Sequence, residues 1–78
     1  MNITIYSKNG CPYCDKIKSV LEQRNIPFVN YLLDVDFTRD EFYSEFGQGS
    51  TFPQVIVDSV HTGGASDTIK YLTENNLI

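Results

Sequence analysis

The tetrapeptide Cys11-Pro12-Tyr13-Cys14 constrains this chain more than any other stretch. Before it, "NITIYS" alternates Ile3 and Ile5 with Thr4 and Tyr6, the period of a strand. After it, Ile17, Val20 and Leu21 recur at helical spacing, with Lys18 and Glu22 expected to pair on the outer face. Pro12 suits the first turn of that helix, where a missing N–H costs nothing. The tetrapeptide is therefore a strand-to-helix junction. It also holds both cysteines of a chain of 78 residues.

The remaining elements follow from local signals. Asn25, Ile26 and Pro27 end the first helix, and Phe28–Leu33 reads as a second strand. Thr38 and Glu41 have capping-box spacing ahead of Phe42, Tyr43 and Phe46, and Gly47 is a stop. "QVIVDSVHT" splits into two short strands about Asp58-Ser59, a hairpin too short for a crossover. Gly63-Gly64 breaks the chain, and Ser66 or Asp67 is expected to cap a last helix carrying Ile69 and Leu72. The order is β-α-β-α-β-β-α. Strands one and two, joined through a helix, should pair in parallel. The expected fold is α/β and thioredoxin-like, a four-stranded mixed sheet flanked by three helices. One domain over residues 1–78 is expected, since a chain this short suits one core.

Charge and composition remove several classes of function. The net charge is −4, yet residues 1–26 carry +2 and residues 27–78 carry −6. Both thiols thus lie in the only positive part of the chain. With no basic stripe, no nucleic-acid partner is expected, and no segment can span a bilayer. Met1 runs straight into "NITIYS" without the pattern of a signal peptide, so a reducing cytoplasm is the expected setting. Two cysteines are too few to staple a small secreted fold.

In a reducing compartment, paired thiols are catalytic, redox-active or metal-binding. Zinc would need two further ligands, and His61 is the only histidine, read here as a strand residue near the hairpin. Two buried structural cysteines are the other bland alternative, which Pro12, Tyr13 and Lys8 oppose. No metal is expected. At the helix N-cap, amide N–H groups and the helix dipole favour a thiolate on Cys11, a placement that can lower a thiol pKa from about 8.5 to roughly 3.5–7.5. Lys8 adds positive charge. Cys14, one turn further in, can attack a mixed disulfide on Cys11. Cys11 is thus the expected attacking thiol and Cys14 the resolving one.

"YSKNGCPYC", "TFPQVIVD" and "HTGGASD" together resemble the dithiol glutaredoxins, in that family's order and spacing and over essentially the whole chain. The resemblance implies reduction of protein disulfides and glutathione mixed disulfides, with glutathione as co-substrate. By the same resemblance, Tyr13 packs beside bound glutathione, and Lys8 meets its glycyl carboxylate. Thr51, Phe52 and Pro53 form a cis-proline loop whose backbone faces the glutathione cysteine. Gly64, Ser66 and Asp67 take the γ-glutamyl end. Departures are Ser50 where the family is often basic, with Arg39 as a possible substitute, Phe52 for the commoner valine, and Ala65 where many relatives have an extra cysteine. Implied partners are glutathione and disulfide-containing or glutathionylated proteins, with the chain a monomer. Two other readings remain: a redoxin fed by thioredoxin reductase that donates electrons to ribonucleotide reductase, and a module bridging an iron–sulfur cluster through Cys11 and glutathione. Pro12 stiffens the loop against the latter.

Overall fold

Ile3, Ile5 and Ser7 bury one face of the first strand, β1 (Ile3–Ser7), while Thr4 and Tyr6 occupy the other face. In this computed structural model, which describes residues 1–78, the chain then turns at Gly10 (φ 68°) into α1 (Pro12–Gln23). Pro12 stands in the first turn, and Cys14, Ile17 and Leu21 are buried at helical spacing. Asn25, with φ 56°, reverses the chain after α1. The second strand, β2 (Val29–Leu32), is shorter than the apolar run that suggested it. Phe28 packs on the main core instead, and Leu33 forms an isolated bridge with Phe37.

The capping box forms as expected at α2 (Arg39–Phe46). Thr38 Oγ1 accepts the Glu41 N–H at 3.2 Å, and Glu41 Oε1 accepts the Thr38 N–H at 2.9 Å. Gly47, at φ 103°, ends the helix. Strands β3 (Gln54–Val57) and β4 (Val60–Gly63) join through Asp58 and Ser59, both at positive φ (48° and 71°), the geometry of a tight two-residue hairpin.

The last helix, α3 (Ala65–Glu74), corrects one expectation: its N-cap is Gly64, with no side-chain cap, and not Ser66 or Asp67. Here the Thr68 hydroxyl donates to the Gly64 carbonyl at 2.7 Å and also bonds Thr62 Oγ1 at 2.7 Å. That part-buried pair starts the helix two residues earlier than a Ser66 cap would. A second correction concerns Lys18, which pairs with Asp15 at 3.7 Å and not with Glu22. Helical side chains lean toward the N-terminus, and Asp15 lies on that side.

The sheet order is β2-β1-β3-β4, with β1 parallel to β2 and antiparallel to β3, and β3 antiparallel to β4. Two apolar layers cover it. Ile3, Ile5, Val55 and Val57 pack with Ile17 and Leu21 of α1 and Ala65 and Leu72 of α3. On the opposite face, Leu33, Phe37 and Phe42 gather Tyr6, Tyr43, Phe46 and Phe52 around α2. This is the thioredoxin-like fold, and it brings the starts of α1 and β3 together at one edge of the aromatic layer.

Candidate active site

Gly10 makes a left-handed turn that a side chain would resist, and the next residue is the N-cap of α1. There Cys11 Sγ accepts the backbone N–H of Cys14 at 3.2 Å, so the sulfur lies among the unpaired amides of the helix start. Cys11 and Cys14 form a disulfide, with Cα atoms 5.2 Å apart. The two sulfurs are not equivalent. Cys14 is 0% exposed, whereas Cys11, 5% exposed, lines an open groove of about 540 Å³. An external thiol or disulfide meets Cys11 first.

The groove joins three segments. Lys8, Gly10, Pro12 and Tyr13 come from the strand-to-helix junction, Arg39 and Tyr43 from α2, and Ser50, Thr51 and Phe52 from the approach to β3. Tyr13 forms its outer lip, 62% exposed. The Lys8 ammonium stands over the Phe52 ring, 5.3 Å from its centroid. Phe52 in turn stacks on Phe42 at 4.1 Å with planes only 8° apart. The phenylalanine that replaces a commoner valine is thus both a wall of the aromatic layer and a platform for Lys8.

The bond from Phe52 to the buried Pro53 is cis. Neither the N–H nor the C=O of Phe52 bonds another group of the chain, so the backbone edge beside Cys11 is open. Lys8 and Arg39 are also free of ion pairs, since the salt bridges are Lys18–Asp15 and Lys70–Glu74. A chain of net charge −4 therefore turns two uncompensated cations toward its disulfide.

Of the residues singled out in the sequence, Lys8, Cys11, Tyr13, Thr51 and Phe52 share this groove. Cys14 and Pro53 back it from the interior. Gly64, Ser66 and Asp67 do not line it. Gly64 is tied to it through Pro53: a Cβ on Gly64 would stand 3.7 Å from the Pro53 carbonyl oxygen. Ser66 is exposed at the start of α3, and the exposed Asp67 folds its carboxylate back over Gly63, where an added Cβ would meet Oδ2 at 2.9 Å. Sequence reasoning gave Arg39 a minor role and Tyr43 none. Their spacing of four residues on a capped helix was the available signal that they share a face. No three metal-ligating side chains are grouped anywhere in the structure.

The glutaredoxin family profile matches residues 3–62. The chain belongs to the glutaredoxin family. It is 33% identical over 78 residues to glutaredoxin 1 of Rickettsia prowazekii, covering 96% of this chain and 81% of that one. It is 32% identical over 66 residues to glutaredoxin 3 of Escherichia coli K12, covering 85% and 80%. Glutaredoxin 1 of Francisella tularensis, solved as a cacodylate complex, superposes with a TM-score of 0.80 at 35% identity, covering 97% and 95%. With its cysteine pair intact, this glutaredoxin is a thiol–disulfide oxidoreductase. The chemistry is a two-electron exchange in which the Cys11–Cys14 bond opens and closes as a substrate disulfide forms and breaks.

Proposed function

We propose that this glutaredoxin draws its electrons from glutathione and reduces protein disulfides and glutathione mixed disulfides. The observation that carries this reading is the convergence of Lys8, Arg39 and the unpaired Phe52 backbone on the groove of Cys11. Glutathione is a short cysteine peptide with a carboxylate at each end. An open strand edge can grip its central backbone, and cations can meet a terminal carboxylate. Tyr13 covers one side. The start of α3 takes the γ-glutamyl end, Gly64 and Ser66 with backbone donors and Asp67 with a carboxylate for the ammonium.

The exchange balances in two steps. The Cys11 thiolate attacks the glutathione sulfur of a mixed disulfide; the substrate leaves as a thiolate and takes a proton from water. A second glutathione thiolate then attacks the glutathione sulfur on Cys11, releasing glutathione disulfide and the Cys11 thiolate. With a protein disulfide, Cys11 forms the mixed disulfide and Cys14 attacks Cys11, freeing the reduced protein and closing the Cys11–Cys14 bond. Two glutathiones then reopen it. The setting that sustains this cycle is the reducing cytoplasm, with the chain acting as a monomer.

The test is turnover of a small mixed disulfide with glutathione, glutathione reductase and NADPH. Robust turnover is expected. Turnover supported by thioredoxin reductase and NADPH, but not by glutathione, would overturn the proposal.

A further inference from the structure

One buried polar side chain sits inside the aromatic layer, directly beneath the loop that offers its backbone to substrate. Gln54, the first residue of β3, is only 8% exposed, and its neighbour across the sheet is Tyr6. A buried amide in such surroundings must have its hydrogen bonds supplied. Gln54 Nε2 donates to the Thr51 carbonyl at 2.8 Å, and Gln54 Oε1 contacts His61 Nε2 at 2.6 Å. Only the amide NH2 can donate to a carbonyl, so Oε1 must face His61, whose Nε2 carries the proton. The His61 ring is held against Phe46, with centroids 5.0 Å apart. The chain of contacts thus runs from α2 through His61 and Gln54 to Thr51.

The Thr51 C=O and the Phe52 N–H belong to one peptide unit. In a planar trans peptide these two groups point in opposite directions. Holding the carbonyl down on Gln54 fixes the N–H on the other side, free of any partner in the chain.

We propose that Gln54, oriented by His61, is a positioning residue that aims the Phe52 N–H at the cysteine backbone of glutathione or of a substrate disulfide in the Cys11 groove. This rests on the glutathione reading above for its natural ligand. Gln54 touches neither substrate nor sulfur; it acts through the Thr51–Phe52 peptide plane. Freed from Gln54, that plane can rotate, and the donor loses its direction before the ligand arrives.

Two variants test this. Gln54→Leu removes both contacts. Gln54→Glu keeps the shape and the His61 contact but sets a carboxylate oxygen against the Thr51 carbonyl, so it isolates the one bond that matters. In both, the KM for glutathione and for a small mixed disulfide should rise roughly three- to tenfold, the reach of one misdirected neutral hydrogen bond. The rate at which iodoacetamide alkylates reduced Cys11 should not change, because the thiol and its helix are untouched. The amide resonance of Phe52 should shift in both variants, with or without glutathione. A merely structural Gln54 would lower the melting temperature and leave KM and the Phe52 amide unmoved, and that result in Gln54→Glu overturns the proposal. A wild-type protein that ignores glutathione would refute the glutathione reading instead. The Phe52 amide and the KM for a disulfide peptide would still decide for or against Gln54.

Discussion

Replacing Phe52 by valine, the residue commoner at this place in the family, should weaken the fold while leaving the chemistry in place. The ring contributes in three ways. It is half-buried in the aromatic layer around Phe42 and Phe37, and losing that apolar contact costs roughly 1–2 kcal/mol. It stacks on Phe42 at 4.1 Å, a pairing worth about 0.5–1.5 kcal/mol beyond area. It carries the Lys8 ammonium at 5.3 Å, worth about 0.5–1 kcal/mol where water reaches the charge. Phe52→Val should therefore destabilise the protein by about 2–4.5 kcal/mol, a large share of the roughly 5–15 kcal/mol that holds a typical domain. For a chain of this size the melting temperature should fall by roughly 8–36 °C. Urea denaturation followed by circular dichroism measures the loss, with the midpoint falling and the slope unchanged. The backbone N–H and C=O at this position survive the substitution, so turnover at low temperature should persist. A loss below about 0.5 kcal/mol, the range of an ordinary surface change, would refute the claim that the ring is part of the core. Additivity with Phe42→Leu in a double-mutant cycle would refute the stacking contribution by itself.

Cys11→Ser should abolish all thiol transfer, because no other side chain in the groove can be the attacking thiolate. Cys14→Ser should keep deglutathionylation and lose protein-disulfide reduction that needs internal resolution. Loss of both activities in folded Cys14→Ser would contradict the division of roles. Lys8→Ala should raise the KM for glutathione several-fold at low salt, in line with about 0–1 kcal/mol for a partly exposed ion pair, and the gap should close as salt rises. A gap that does not respond to salt would exclude charge pairing by Lys8. Tyr6 has its pKa raised above the ordinary 10.0, chiefly by burial and further by the nearby Glu45 and Tyr31. Its neutral form is favoured in the fold, so its contribution to stability is fully present below pH 10.0 and is lost as pH climbs through the folded value. Urea midpoints should fall more steeply in the wild type than in Tyr6→Phe as pH climbs from 10.0 toward the folded value.

Much of the fold is written in short-range signals. Alternation in Ile3-Thr4-Ile5-Tyr6, Pro12 at a helix start, the Thr38–Glu41 box and the Asp58-Ser59 turn each operate within a few residues. Their physics is local, so they survive being read without the rest of the chain. The outer and inner cysteines are legible for the same reason, since a three-residue spacing at a helix start already makes Cys11 the more accessible sulfur and Cys14 the inner one. Other features depend on partners far along the chain, and the sequence by itself left them open or misplaced. Gly64, not Ser66 or Asp67, caps α3, because the hydroxyls of Thr62 and Thr68 meet only once β4 is docked. Arg39 and Tyr43 reach the groove only because the aromatic layer seats α2 beside β1 and β3. Gln54 finds Thr51 within its own loop, but it needs His61 from the neighbouring strand and Phe46 from α2 to hold it there. Spacing along the chain fixes which residues share a face of one element. Which faces then meet is set by burial of the two apolar layers against one sheet, a choice made by the whole chain at once.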